Sequence, residues 1–181
     1  MTVVELLRHA KAHSRKRWSG PSDRERPLSE EGWHQAKVLA QDLAEGGPID
    51  AIASSPLLRC TQTVEPLAGA LGLDLVTDER IAELRTLPLT ENGSAWVASA
   101  WLGGRAVGLV DELVARYRGG TVVVCSHGDV LPAVLALLAG REGLDLSDVR
   151  VKKGGRVRLT FEGPRCVAAT AVDAVPRQSL L

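Results

Sequence analysis

The sequence predicts an α/β fold, a three-layer α/β/α sandwich around a mostly parallel central sheet that ends in a C-terminal hairpin. Three observations carry that prediction. Two apolar runs rich in Val and Leu, Val3–Leu7 and Val122–Cys125, have the character of strands buried on both faces. Segments with helical spacing alternate with the strand-like runs between them. Finally, Val157–Phe161 and Cys166–Val172 face each other across Glu162-Gly163-Pro164, as a hairpin does. With 181 residues and no evident linker or repeat, the chain reads as a single domain, 1–181.

Taken in order, Val3–Leu7 is the first strand, and Lys11–Arg26 is a polar loop without apolar periodicity. Ser29 reads as a helix N-cap followed by Glu30 and Glu31, acids that suit a first turn. Trp33, Ala36, Leu39, Ala40 and Leu43 recur at helical spacing until Gly46-Gly47-Pro48 stops the run. Ala51–Ala53 is a short strand. Ser55-Pro56 opens a second helix that runs to Gly72, with Pro66 expected to kink it or tighten its last turns. Leu73–Val76 is a short strand near the sheet edge. The stretch from Asp78 to Gly120 reads as broken helix, Ala95–Leu102 and Val107–Tyr117 separated by Gly103-Gly104. Val130–Leu138 is a strongly apolar helix ending at Gly140.

Composition narrows the function classes. Lys plus Arg and Asp plus Glu are 22 each, which leaves no global charge for nucleic acid or an anionic membrane. Aromatic residues are 3% of the chain, too few for base-stacking platforms. No stretch approaches the roughly 18 unbroken apolar residues of a membrane span. The three cysteines, Cys60, Cys125 and Cys166, are odd in number and widely spaced, which speaks for a reducing, cytoplasmic setting. No zinc-site spacing, nucleotide-binding P-loop, cysteine-phosphatase loop or Gly-x-Ser-x-Gly elbow is present, so no metal and no cofactor are expected.

The chemistry-bearing residues sit at strand ends. The first strand gives way to Arg8-His9-Ala10, and the Val122–Cys125 run ends in Ser126-His127-Gly128. If both strands are parallel, the two histidines emerge at the carboxyl edge of one sheet, where ligands bind in open α/β folds. Ser54-Ser55-Pro56 closes the third run and leads to Arg59. Two guanidinium forks match the equatorial oxygens of a phosphoryl group. Helices opening near Pro56 and near Gly128-Asp129 would aim free N–H groups at the same place. A neutral imidazole, His9 for preference, can attack phosphorus, with His127 as the electrostatic partner. Glu83 is the carboxylate placed to protonate the leaving group, and a phosphate nearby should raise its pKa. Glu5, Glu91 and Asp129 are alternatives.

Bland readings compete with each of these. Arg8 and His9 could be a surface pair closing a strand, Arg59 could pair with Glu65 or Asp50, and Glu83 could be an ordinary surface acid. His13 and His34 read as solvent-facing, and Ser54, Ser55 and Ser126 as turn or capping residues. Lys11, Arg15, Lys16 and Arg17 with Trp18 form a basic loop. It is either a solvated charge run or a subsite, Lys11, Arg15 and Trp18, for further negative charge and an apolar or base moiety. The cluster Arg150, Lys152, Lys153, Arg156 and Arg158 reads as a solvated edge that deters strand pairing.

Arg8-His9-Ala10, the Ser54-Ser55-Pro56-x-x-Arg59-x-x-Gln62-Thr63 segment and Ser126-His127-Gly128, in that order, resemble the histidine phosphatase superfamily, as does Leu28-Ser29-x-x-Gly32-x-x-Gln35-Ala36. The resemblance covers roughly residues 3 to 140 and implies a phosphohistidine intermediate on His9, a pocket of Arg8, Arg59 and His127, and no metal. Ala10 and the short middle segment resemble the small branch that includes bacterial phosphohistidine phosphatases, some of which lack a dedicated acid. Glu83 falls where the broad-specificity branch places its acid, but the continuation here is Arg85-Thr86-Leu87-Pro88 rather than Gly-x-Trp-Glu-Gly. The segments from Arg8 through Gly20 and from Gln62 to Leu67 are also similar to phosphatase domains fused to actinobacterial Nudix hydrolases. The expected partner is a phosphorylated small molecule or a phosphohistidine protein. A mutase is disfavoured by the short middle segment. The competing class is a non-catalytic module of the same fold that senses a phosphorylated ligand.

Overall fold

A computed structural model of the chain describes residues 1–83, 95–146 and 149–172. The strands are β1 (Thr2–Arg8), β2 (Ala51–Ser54), β3 (Leu75–Thr77), β4 (Thr121–Ser126), β5 (Arg156–Glu162) and β6 (Arg165–Val172). They form one six-stranded sheet in the order β3-β2-β4-β1-β5-β6. β3, β2, β4 and β1 run parallel, whereas β5 pairs antiparallel with β1, and β6 with β5. This is the expected α/β/α sandwich with its closing hairpin.

Helices α1 (Glu30–Glu45) and α2 (Leu58–Leu71) cover one face, and α3 (Ala95–Arg116) and α4 (Val130–Glu142) the other. Strand alternation feeds both layers. In β4, Val122 and Val124 join the α3–α4 core, while Val123 and Cys125 join the α1–α2 core. In β1, Val4 and Leu6 point to the first and Leu7 to the second. Ser29 caps α1 by accepting from the Gly32 amide, as its position before Glu30-Glu31 predicts. Among the described residues, no helix is long and apolar enough to cross a membrane.

Two expectations are corrected, the break in the third helix and the start of the second. α3 is one helix of 22 residues running straight through Gly103-Gly104. Gly103 is there for packing: a Cβ on it would lie 2.7 Å from the Ala133 carbonyl oxygen of α4, so only glycine lets the two backbones approach. α2 starts at Leu58 rather than at Ser55-Pro56; as expected it holds Pro66 within it and runs to Gly72, which closes it in the left-handed conformation. The polar loop after β1 holds a short 3-10 turn, Asp23–Glu25, and an isolated bridge between Ala12 and Leu28.

The basic cluster at 150–158 is not uniformly solvated. Arg156 is 7% exposed and Glu5 1%. Arg156 pairs with Glu5 at 3.0 Å and with Asp42, and Arg158 pairs with Glu5 at 2.6 Å. The cause is the register of β5 on β1, which sets Glu5 opposite Arg158 and Leu7 opposite Arg156. Burying an acid there is tolerable only because two guanidinium groups flank it.

The paired glycines of α3 give a controlled test. Gly103→Ala should destabilise the fold by about 1–3 kcal/mol through overpacking against α4. Gly104 has open space around its Cα, so Gly104→Ala should stabilise by about 0.5–1 kcal/mol through helix propensity alone. Urea unfolding of both variants, read as midpoint shifts of opposite sign, checks this.

Candidate active site

The site begins with strand pairing. Parallel β1 and β4 set Arg8 opposite Ser126, so the chain emerges from both strands at one edge, as His9 and His127. The His9 amide donates to the Ser126 carbonyl at 3.0 Å, which extends the ladder one residue further. The imidazoles meet edge to face, 5.4 Å between centroids and 63° between planes. β2 joins from the other side of β4, and the Ser55 amide donates to the Cys125 carbonyl at 2.9 Å. α2 then delivers Arg59 one turn later. Convergence of His9, His127, Arg8 and Arg59 is therefore a property of three adjacent parallel strands and the helix that follows β2.

The loop after His9 is pinned at Ala10, Lys11 and Leu28, and the pins are residues of the sequence motifs. Thr63 Oγ1 accepts from the Ala10 amide (3.0 Å), Gln35 Oε1 from the Lys11 amide (2.9 Å) and Gln62 Oε1 from the Leu28 amide (2.8 Å). Gly32 is required because a Cβ would lie 1.9 Å from the Lys11 carbonyl oxygen. His9 itself is 7% exposed. Its Nδ1 lies 2.7 Å from the Ala10 carbonyl oxygen, an atom that can only accept, so Nδ1 carries the proton and Nε2 the lone pair. Burial lowers the His9 pKa to about 3; the Ala10 bond works against this, and the charges of His127, Arg59 and Arg8 work with it.

The guanidinium groups are fixed by main-chain oxygens and acids. Arg8 Nη1 donates to the Val151 carbonyl at 3.0 Å, and a Cβ on residue 128 would fall 2.5 Å from its guanidinium carbon. Gly128 is thus the space in which Arg8 lies. Arg59 is fully buried. Its Nη2 donates to Glu83 Oε2 at 2.5 Å and its Nη1 to the Asp23 carbonyl at 2.9 Å. Neither Glu65 nor Asp50 is its partner; Asp50 instead accepts from the Thr121 amide at 2.8 Å. Nε of Arg8 and of Arg59 are buried donors without a protein partner among the described residues. Such donors are costly to bury unless something accepts from them.

Glu83 lies within this cluster. It bridges Arg59 and Arg15, the latter at 2.7 Å, and its Oε2 is 3.5 Å from His127 Nδ1. Burial alone would raise its pKa, but the Arg15 hydrogen bond and the charges of Arg59, His127 and Arg15 overcome it, so the pKa is lowered. The rise expected from a neighbouring phosphate is opposed here by two arginines. Of the alternative acids, Glu5 is committed to Arg156 and Arg158, and Asp129 caps α4 through the Val130 amide at 3.0 Å. Glu91 lies outside the described residues. The start of α4 offers fewer free donors than expected, since the Leu131 amide also donates, to the His127 carbonyl at 3.1 Å.

The three expected binding residues separate. Arg15 enters the cluster through Glu83 and Asp23. Lys11 pairs with Glu31 at the rim. Trp18 folds over Gly20 and donates to the Ser22 carbonyl at 3.0 Å, inside its own loop and without a contact to His9. His13 and His34 are exposed, as expected.

Sequence reading missed three neighbours. Ser55 Oγ lies 2.7 Å from His127 Nε2, Cys60 Sγ lies 3.4 Å from the same nitrogen, and Asp23 faces Arg15, Arg26 and Arg59. Burial works to raise the Asp23 pKa, but the Arg26 hydrogen bond and the charges of Arg59, Arg26 and Arg15 bring it to about 2. Ser55 and Cys60 lie within motif spacing and were legible as candidates; nothing in the sequence links Asp23 to Arg59. Among the described residues, no group of three or more His, Cys, Asp or Glu is arranged to hold a metal ion.

The lowered pKa of His9 ties stability to pH. The unfolded chain takes up a proton near pH 6.5 that the folded chain refuses until about pH 3. Stability contributed by neutral His9 is therefore complete above pH 6.5 and falls as pH drops through that window, by on the order of 5 kcal/mol across the whole of it. Urea unfolding between pH 4.5 and 7.5 should show a shallower pH slope in His9→Gln than in the wild type, and NMR should find the His9 ring neutral across that range.

Comparison with known proteins agrees with this geometry. Residues 4–95 and 98–174 match the family model of the histidine phosphatase superfamily (branch 1). Bifunctional protein Rv2228c of Mycobacterium tuberculosis is 32% identical over 162 residues, 75% of this chain but 44% of that protein. The chain thus spans less than half the length of that relative. The GpmB protein of Yersinia pestis, assigned as a phosphoglycerate mutase, is 31% identical over 166 residues, 77% of this chain and 76% of that protein. Among solved structures, mycobacterial glucosyl-3-phosphoglycerate phosphatase Rv2419c with VO3 superposes with a TM-score of 0.70 at 24% identity, covering 95% of this chain and 99% of that one. A protein assigned as phosphohistidine phosphatase SixA of Agrobacterium tumefaciens superposes at 0.63 and 25% identity, covering 94% and 98%. With the two histidines and two arginines converging at one sheet edge, the chain belongs to the histidine phosphatase superfamily, in its phosphoglycerate-mutase-like branch and related to the phosphohistidine phosphatases.

Proposed function

We propose that the chain is one histidine-phosphatase domain acting as a metal-independent phosphohydrolase, with His9 as the nucleophile. The observation that carries this is the His9 tautomer. Nδ1 is fixed on the Ala10 carbonyl and the ring is held neutral by burial, so the Nε2 lone pair is available at neutral pH. Arg8 and Arg59, each with a buried Nε that has no partner among the described residues, neutralise the phosphoryl oxygens, and His127 stands edge to face beside the His9 ring.

In the first step Nε2 bonds to phosphorus, the bond from phosphorus to the leaving group breaks, and a proton goes to that group. In the second, water attacks phosphorus, the P–N bond breaks, and the proton of water is taken up. Glu83 serves as donor and then as acceptor. A phosphoryl dianion that claims Arg59 weakens the ion pair now lowering the Glu83 pKa, and this prepares the carboxyl to hold a proton. A phosphohistidine protein, whose imidazole leaves more readily, asks less of Glu83 than an alkyl phosphoester. Within the superfamily we place the chain near the phosphatase domains that accompany Nudix hydrolases, on its Lys11–Gly20 and Gln62–Leu67 segments. Three free, buried cysteines support a cytoplasmic setting.

Phosphate release in the presence of EDTA, from a phosphohistidine peptide, an alkyl phosphomonoester and a nucleotide panel, tests the reading. His9→Ala should lose at least about 10³-fold in turnover and all acid-labile phosphoenzyme. Near-normal release in that variant would sink the mechanism, and phosphate binding without any turnover would favour a sensing module. Glu83→Gln should cost about 10²–10⁴-fold on the alkyl ester and far less on phosphohistidine. Equal, small losses on both would remove Glu83 from the reaction.

A further inference from the structure

Glu83 belongs to a ring of alternating charge. Arg15 Nη2 donates to Glu83 Oε1 at 2.7 Å, and Arg59 Nη2 donates to Glu83 Oε2 at 2.5 Å. The same two arginines meet a second acid. Asp23 Oδ1 is 3.4 Å from Arg15 Nε, and Asp23 Oδ2 is 3.5 Å from Arg59 Nη2. The Asp23 carbonyl also accepts from Arg59 Nη1 at 2.9 Å. Its place is fixed by its own loop. Ser22 Oγ accepts from the Arg24 amide at 3.1 Å and caps the turn, while Arg26 Nε donates to Asp23 Oδ1 at 2.7 Å. Arg26 Nη1 then donates to the His13 carbonyl at 2.8 Å, which ties the two ends of the loop together.

The other charged groups around Glu83 are accounted for. His127 Nδ1 stands 3.5 Å from Glu83 Oε2, with the His9 ring edge to face behind it. On the segment that leads to Glu83, Asp78 is paired with Arg80 and Glu79 with Arg24. Protonating Glu83 withdraws its charge from Arg15 and Arg59 together. Arg59 is fully buried, and a buried cation stripped of its counter-charge is costly. With Asp23 in place each arginine keeps an anion, so a proton on Glu83 costs less. Burial works to neutralise Asp23 too, but the Arg26 hydrogen bond and the charges of Arg59, Arg26 and Arg15 bring its pKa to about 2, and it stays ionised at neutral pH.

We propose that Asp23 is a positioning residue for the reaction: as the second acceptor for Arg15 and Arg59, it lets Glu83 take up the proton that goes to the leaving group. The inference rests on Glu83 serving as donor in the hydrolase reading. Without Asp23 both arginines would turn their full charge on Glu83 and hold it more firmly as a carboxylate. A carboxyl of higher pKa is more often protonated for the first step and is a stronger base for the second.

Asp23→Asn tests this, since it keeps the shape of the side chain and an acceptor for Arg26 while removing the charge. NMR titration of the Glu83 carboxyl in the free protein should give a lower pKa in Asp23→Asn than in the wild type. Asp23→Glu, which restores the charge, should recover most of the difference. With the alkyl phosphomonoester, the alkaline limb of kcat should move about one pH unit toward acid in Asp23→Asn. Above that limb kcat should fall about tenfold with no rise in KM, and the loss on the phosphohistidine peptide should be smaller. In a Glu83→Gln background, adding Asp23→Asn should change the rate less than about twofold. The proposal falls if folded Asp23→Asn titrates Glu83 as the wild type does, or if the double variant loses as much again as Asp23→Asn does alone. Asp23→Ser is a second neutral variant, and loss of the fold in both would assign Asp23 to stability and overturn the proposal. Absence of His9-dependent phosphate release, with the Glu83 titration still shifted by Asp23→Asn, would overturn the hydrolase reading alone.

Discussion

Everything at this site depends on the parallel pairing of β1 with β4. Because Arg8 stands opposite Ser126, the residues that follow are forced into adjacency, and the His9 amide continues the ladder onto the Ser126 carbonyl. A slip of one residue would send every strand side chain to the opposite face. It would exchange Val122 and Val124 with Val123 and Cys125 between the two cores. Core packing and site geometry are thus enforced by a single register, and that register holds the buried polar cluster in place.

The second constraint is electrostatic. Arg8, Arg15, Arg26 and Arg59 crowd one cleft, and Glu83 and Asp23 are the counter-charges that let them do so. Such an arrangement is preorganised for an anion: donors are fixed by carbonyls and acids before any ligand arrives, so little reorganisation is needed on binding. It also makes Glu83 a negotiable partner. The same two arginines that keep it ionised are groups a phosphoryl oxygen can compete for. Glu5 is the contrasting case, the acid nearest His9 in sequence but sealed between Arg156 and Arg158 at the middle of β1. Glu5 lies within a strand and Glu83 in a loop at the sheet's carboxyl edge, so place in the fold, more than residue type, decides which cations each acid meets.

Much of this was legible in the chain itself. The Val-rich runs, the Ser29 cap, the closing hairpin and the histidines at two strand ends follow from local rules: burial on both faces, capping geometry and the strand–helix alternation of α/β folds. The motif glycines and glutamines were legible as a pattern but not as a mechanism. Gly32 and Gln35 hold the Lys11 backbone, and Gly128 makes room for Arg8, contacts between segments far apart in sequence.

What only the tertiary structure decided is equally specific. Gly103-Gly104 looks like a helix break until α4 is seen to press on it, since glycine's poor helix propensity is outweighed by packing. Arg156 looks solvated until β5 is laid beside β1. Asp23 acquires meaning only when the loop after β1 is folded against Arg59 of α2, 36 residues further along the chain. The sequence by itself determined which elements form and which groups could do the chemistry, because those depend on neighbours along the chain. The partners of each charge were decided by the fold, because an ion pair depends on distance in space and on burial, and neither is written in local order.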